Sequence, residues 1–136
     1  MNRHARIFVT IAVISMVAMT TGCATMSRDL VRENTLNIEK VSSKIGTVTD
    51  VHIVQDESQV RIYGELTHST LGRGTIPGHV DLEVIGPDGD VLEQTTIEYH
   101  RRSMKSKIST FHSTLQTMPP VGSTIRVIHN TSSLMP

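Results

Sequence analysis

The chain has 136 residues, about one domain's worth, which is enough for a single modest hydrophobic core. Thirteen basic residues balance thirteen acidic ones, so the overall charge does not point to nucleic acid or to another strongly charged partner. With two Tyr, two Phe and no Trp, the chain has almost nothing from which to build a stacking platform for bases or sugars.

The first 22 residues have the layout of a secretory signal. Arg3, His4 and Arg6 form a short positive segment, and residues 7–19 form a 13-residue apolar run, "IFVTIAVISMVAM". The apolar region of a signal peptide is about 7 to 15 residues long, whereas a helix that spans a bilayer needs about 20. We therefore expect residues 1–22 to be a targeting segment that is removed.

The next residues, Thr20-Thr21-Gly22-Cys23, resemble the lipobox of bacterial lipoproteins, in which small residues directly precede a cysteine that becomes the new amino terminus. The resemblance implies that signal peptidase II cuts between Gly22 and Cys23. It also implies that Cys23 carries a diacylglycerol on its sulfur and usually an acyl chain, such as palmitate, on its amine. Two or three acyl chains give a stable anchor, since each buried methylene contributes about 0.8 kcal/mol.

Two other interpretations of this segment stay open: an ordinary signal peptide cut near Ala24, and an uncleaved membrane anchor. Cys23 is the only cysteine, so it has no partner for a disulfide within the chain. In lipoproteins, an aspartate directly after the cysteine tends to retain the protein in the inner membrane, and this sequence has Ala24 there. The resemblance thus favours the periplasmic face of the outer membrane.

Residues 23–45 are predicted to be the lipidated cysteine and a polar or partly helical tether. Val31, Ile38 and Ile45 recur every seven residues, as in a short amphipathic helix, but "TLNIEKV" also alternates as a strand would. The sequence leaves both structures open. A helix here would either await a partner or pack on its own domain.

From Gly46 onward, apolar residues recur with a period close to two. In "VRIYGEL", for example, Val60, Ile62 and Leu66 share one face, which is typical of a half-buried strand. About six such segments follow one another: "TVTDVHIV", "VRIYGEL", "VDLEV", "DVLEQTTIEY", "KISTFHSTL" and "STIRVIH". The clearest turn between them is "GPDGD", where Pro87 presets the turn and Gly89 can adopt positive φ.

Short strands separated by turns, without a helical pattern between them, predict an all-β domain over residues 46–136. We expect a small antiparallel β-sandwich, with an immunoglobulin-like fold as the most specific interpretation. This prediction depends on the number and spacing of the strands, because the disulfide and core tryptophan of antibody domains are absent from the sequence.

The sequence gives no pattern typical of a catalytic site. It has no Gly-x-Ser-x-Gly nucleophile elbow. "GRGTIPG" lacks the Lys-Ser/Thr ending of a phosphate-binding loop, and "DGD" lacks the spaced acids and closing glutamate of a calcium loop. We therefore predict a binding or structural module that is not an enzyme and needs no cofactor.

Histidines are the main candidates for chemistry. His68 and His79 flank one predicted loop, and His100 and His112 flank the next, so each pair could approach across a connection between strands. Imidazole is a common ligand of copper and zinc. Periplasmic copper or zinc binding by these four residues is the alternative function, and solvated histidines without a ligand are the simpler interpretation.

The segment "HRRSMKSK", residues 100–107, concentrates positive charge without an acid. Arg101, Arg102, Lys105 and Lys107 are candidates for contact with an anionic envelope surface or an acidic protein partner. A solvated loop that discourages aggregation is the alternative. Together the patterns predict a lipid-anchored envelope protein with a membrane contact through its lipid, an envelope protein as partner, and no nucleic acid.

Overall fold

A computed structural model describes residues 27–69, 74–101, 103 and 105–132. The predicted signal segment, Gly22, Cys23 and Arg102 lie outside the described residues. Within the described part, all regular elements are β-strands. No helix there is long and apolar enough to cross a membrane.

Two β-sheets make up the structure. Their strands are, in chain order, β1 (Arg28–Asp29), β2 (Asn37–Val41), β3 (Gly46–Asp56), β4 (Gln59–His68), β5 (His79–Ile85), β6 (Val91–Ile97), β7 (His100–Arg101), β8 (Ile108–Leu115) and β9 (Thr124–Asn130). The five-stranded sheet has the order β1-β3-β4-β8-β7, and the four-stranded sheet has the order β2-β9-β5-β6. All neighbours are antiparallel except β2 and β9, which run parallel. The predicted all-β, sandwich-like fold is confirmed.

The alternation seen in the sequence accounts for the core. Along β4, Val60, Ile62 and Leu66 are buried, and β5 and β9 bury every second residue in the same way. A strand directs successive side chains to opposite faces, so this period covers one face of each sheet with apolar groups. The six segments predicted as strands correspond to β3, β4, β5, β6, β8 and β9.

The turn predicted at "GPDGD" joins β5 to β6. Gly89 has φ of 90° and its N–H donates to the Gly86 carbonyl at 2.9 Å, while the Gly86 N–H donates to the Asp90 carbonyl at 2.8 Å. A positive φ at this position is costly for residues with a Cβ and free for glycine. The hairpin prediction is confirmed.

The segment before Gly46 belongs to the folded domain. Asn37–Val41 is a strand, which decides the ambiguous "TLNIEKV" in favour of the strand interpretation. Leu30 and Leu36 are 2% and 3% exposed and belong to the core. The domain therefore starts well before the predicted boundary at Gly46, and the described part of the predicted tether packs against the rest of the sandwich.

Connections between strands gather at the two ends of the sandwich. Arg28 pairs with Gln55 near the β3–β4 hairpin, and this Arg28 end also holds the turn 30–36, the β5–β6 hairpin and the loop 116–123. The opposite end, which we call the His129 end, holds the turn 42–45 and the described residues of two further connections, 69 and 74–78 before β5 and 98–101, 103 and 105–107 before β8. The chain thus enters the domain at one end and carries its basic segment at the other.

Gly64 leaves room for the only phenylalanine in the described part of the chain. Gly64 and Phe111 are directly opposite each other on β4 and β8 and face the core, and a Cβ added at Gly64 would overlap the Cζ atom of the Phe111 ring. Phe111 is 2% exposed, so its ring has little freedom to move away. Close packing makes such an overlap costly.

We expect Gly64→Ala to lower the free energy of unfolding by about 1–3 kcal/mol, the usual cost of overpacking a core. Chemical denaturation of the domain measures this change. Phe111→Leu removes the Cζ atom and provides the matched control, so Gly64→Ala should cost less in the Phe111→Leu background. Equal costs in both backgrounds would show that the ring does not limit this position.

Candidate functional site

His68 and His79 lie at the His129 end but in different sheets, at the end of β4 and the start of β5. The Nδ1 atom of each is buried and has no hydrogen-bond partner among the described residues. His79 Nε2 lies 3.3 Å from Asp81 Oδ2, so its other ring nitrogen is engaged by a carboxylate. Asp81 also accepts hydrogen bonds from Thr96 Oγ1 at 2.8 Å and Asn130 Nδ2 at 3.3 Å.

His112 lies in the same row as His52 on the outer face of the five-stranded sheet, with Tyr63 between them. His52 is opposite Tyr63, and Tyr63 is opposite His112, so the three exposed side chains form a row across β3, β4 and β8. They line a shallow hollow of about 260 Å³ with Asp50, Glu65 and Thr110. This outer-face hollow is open to solvent, and apolar atoms make up most of its surface.

His100 lines the same hollow as His79, and His112 lines a different one. His100 is opposite Thr110, two residues from His112 on β8. A hollow of about 410 Å³ at the His129 end is lined by residues 75–79 and 98–100, which include His79, Glu98 and His100. The structure therefore brings His79 to the same hollow as His100, and His52 to the same hollow as His112.

A metal site would need more than these pairs. Among residues 27–69, 74–101, 103 and 105–132, no group of three or more His, Cys, Asp or Glu side chains is arranged to hold a metal ion. Tight binding of copper or zinc normally uses three or four protein ligands. Of the predicted ligands, His79 and His100 line one hollow, and His112 lines another.

His129 is a buried histidine with a hydrogen-bonding partner near each of its two ring nitrogens. It extends the buried face of β9 after Ile125 and Val127 and is 4% exposed. Its Nδ1 lies 2.7 Å from Ser43 Oγ, and its Nε2 lies 3.3 Å from Tyr99 Oη. The ring also packs edge-on against Tyr99, with centroids 5.8 Å apart.

These contacts join three connections at the His129 end. The N–H groups of Ile45 and Gly46 donate to Ser43 Oγ at 3.1 and 3.0 Å, and Tyr99 Oη donates to the Ile76 carbonyl at 2.7 Å. Since Ser43 Oγ already accepts two hydrogen bonds, its own hydrogen is directed to His129 Nδ1. This assigns the neutral imidazole with its proton on Nε2.

Protonation of His129 would disturb this network. Burial lowers the pKa of His129, a hydrogen bond to the Pro77 carbonyl opposes this effect, and the nearby His79 lowers the pKa further. A second proton would sit on Nδ1, against a hydroxyl that has no free lone pair to accept it. His129 is therefore a structural residue of the core, not a free ligand.

The sequence pattern did contain a signal for this role. In "STIRVIH", the alternation that buries Ile125 and Val127 also directs His129 inward. A histidine at an inward position is buried with its polar atoms partnered, or it is destabilising.

The basic segment 100–107 is only partly free to contact a partner. Arg101 is half-buried and its Nε donates to the Ser106 carbonyl at 2.8 Å, which closes the loop. Lys105 and Lys107 are exposed. Arg102 lies outside the described residues, so the candidate contact surface rests on the two lysines.

Comparisons with known proteins found no match for this chain. The chain matches no protein family, and it matches no curated protein and no solved structure.

We expect the stability of the domain to fall as pH decreases. The pKa of His129 is lowered in the folded state, so between its ordinary value of 6.5 and the lowered value the unfolded chain binds more protons. The free energy of unfolding is then highest above 6.5 and declines as pH falls through this window. Denaturation curves from about pH 8 to 5 measure the slope.

His129→Gln, which cannot be protonated, should flatten this slope while lowering stability at all pH values. His112→Gln is the matched control, because His112 is exposed on the outer face. An unchanged slope in His129→Gln would assign the pH dependence to another group.

Proposed function

We propose that this is a lipid-anchored protein of the bacterial cell envelope. In this proposal the mature chain begins at Cys23, its lipids sit in the periplasmic leaflet of the outer membrane, and the β-sandwich is a non-catalytic module that binds another envelope protein. The observation that carries the proposal is the position of the only cysteine. Cys23 follows a signal-like apolar run in a lipobox-like sequence and precedes the first strand of the folded domain by five residues.

The short distance along the chain supports a domain held close to the membrane. Five residues reach at most about 18 Å even when fully extended. Processing after Gly22 removes Arg3 and Arg6, leaving eleven basic and thirteen acidic residues. A mildly acidic domain has no general attraction to anionic headgroups, so the lipid itself provides the attachment.

The basic segment suits a protein partner better than the anchoring membrane. It lies at the His129 end, whereas Arg28, which begins the strand closest to the anchor in the described chain, lies at the opposite end. β3 has 11 residues, which corresponds to a length of about 36 Å between the two ends. A domain held by its Arg28 end therefore presents Lys105 and Lys107 away from the lipid.

We expect Cys23→Ser to abolish lipidation and to release the protein from the membrane fraction. Mass spectrometry of the amino-terminal peptide measures the lipid, and fractionation of cells measures the location. Ala24→Asp keeps the cysteine but introduces the residue associated with inner-membrane retention, so it should move the protein to the inner membrane. Ala24→Ser is its matched control and should leave the location unchanged.

A wild-type amino-terminal peptide without lipid, or membrane attachment that survives Cys23→Ser, would contradict the anchored proposal. An unmodified mature chain starting near Ala24 would support an ordinary signal peptide instead.

We expect crosslinking in intact cells to capture one abundant envelope protein. Lys105→Glu and Lys107→Glu should each reduce this crosslink, since both reverse an exposed charge on an acid-free loop. Arg32→Glu reverses an exposed charge at the Arg28 end and is the matched control. Equal capture with all three variants would exclude the basic segment from the contact.

A further inference from the structure

The Arg28 end carries a protruding loop without charge. The connection 116–123, "QTMPPVGS", contains no acidic or basic residue. Val121 is 74% exposed and Met118 is 48% exposed, which makes Val121 the most exposed large apolar side chain of the described part. Val91 and Leu92, 57% and 50% exposed, lie at the same end, after the β5–β6 hairpin.

The loop holds Val121 in a fixed position. The Ser123 N–H donates to the Pro120 carbonyl at 3.1 Å, and Gly122 has φ of 87°, which together define a tight turn with Val121 at its corner. Proline restricts the backbone before the turn. An apolar side chain at the corner of a constrained turn loses little conformational freedom when it is buried.

The same loop is bonded to the segment that leads to the anchor. The Gly122 N–H donates to the Thr35 carbonyl at 2.8 Å, and the Asn37 N–H donates to the Ser123 carbonyl at 2.9 Å. Thr35 and Asn37 follow β1 in the chain, and β1 begins five residues after Cys23. The most exposed apolar group is therefore next to the part of the domain that lies closest to the anchor.

We propose that the tip of the loop 116–123 enters the headgroup region of the same membrane in which Cys23 is anchored, with Val121 and Met118 in contact with lipid. This inference rests on the proposed lipid anchor. Chain length keeps Arg28 within about 18 Å of the lipidated Cys23, and the tip lies at the same end of the sandwich, so the anchor raises the effective concentration of the tip at the bilayer. The contact fixes the orientation of the sandwich, with the His129 end directed away from the membrane.

The charges around the tip select the kind of lipid surface. Asp88 and Asp90 lie on the neighbouring β5–β6 hairpin, where Pro87 is close to Gly122. Glu57 is on the β3–β4 hairpin at the same end, and Arg28 there is paired with Glu33. Asp88, Asp90 and Glu57 outnumber the exposed Arg32 at this end, so the tip gains little from anionic headgroups, and zwitterionic phospholipid is sufficient for the contact.

A single-cysteine label tests the contact directly, because lipid occupies the thiol of Cys23 in the anchored protein. The full chain is produced in cells with Val121→Cys, purified in its lipidated form, labelled with an environment-sensitive fluorophore and reconstituted into phosphatidylcholine vesicles. Ser103→Cys, an exposed position in the basic segment, is the matched control. Nitroxide-bearing lipids then report which label touches the bilayer.

We expect the Val121 label to shift to the blue and to lose most of its fluorescence to the lipid quencher, while the Ser103 label keeps its fluorescence. Replacing part of the phosphatidylcholine by phosphatidylglycerol should not increase the quenching. If Cys23 carries lipid but the two labels are quenched equally or not at all, the inference fails and the anchored function stands. If mass spectrometry finds no lipid on Cys23, both proposals fail.

A photo-crosslinker at Val121 in intact cells tests whether the tip contacts a protein instead of lipid. Crosslinks to lipid, with no discrete protein adduct, support the membrane contact. One abundant protein adduct that is absent with the crosslinker at Ser103 would assign the tip to a protein interface and overturn the inference.

Discussion

The parallel pairing of β2 with β9 is the interaction on which the organisation of this molecule depends. β2 is the first strand of more than two residues, and it joins the four-stranded sheet in register with β9, from Asn37 beside Thr124 to Val41 beside Ile128. A parallel neighbour gives β9 partners on both sides, since β5 pairs with its other edge. This pairing incorporates the amino-terminal segment into the sandwich and determines at which end the chain begins.

The core of the sandwich is covered by different kinds of side chain at its two ends. At the Arg28 end, Leu30 and Leu36 cover the core with apolar side chains. At the His129 end, the inward position after Val127 is taken by an imidazole, and Ser43 and Tyr99 satisfy its nitrogens. A polar closure stabilises only while each group keeps its partner, so protonation of His129 destabilises this end.

Local pattern predicted most of the fold, because the period of two and the turn residues are visible in short stretches of sequence. "VRIYGEL" and "GPDGD" were assigned correctly for this reason. "TLNIEKV" was ambiguous because seven residues fit both periods, and its partner β9 lies more than eighty residues away. The sequence also did not predict which histidines share a face of the sheet. His52 and His112 lie in one row only because of the register of β3, β4 and β8. Register is a property of the assembled sheet, and no local signal in one strand specifies it across three.

A lipid anchor changes what the surface of such a domain has to provide. In the proposed anchored protein, acyl chains would supply the attachment. An additional membrane contact could then be weak and still be populated, because the tether keeps it at high effective concentration. A weak contact that is fixed in position sets orientation instead of affinity. An uncharged, constrained apolar turn beside the proposed anchor is suited to that role, and the exposed lysines at the far end are suited to the proposed protein partner, which would approach from the aqueous side. The fold places these two kinds of surface far apart in the strand direction, so the two proposed contacts, one with the membrane and one with a protein, do not compete for the same surface.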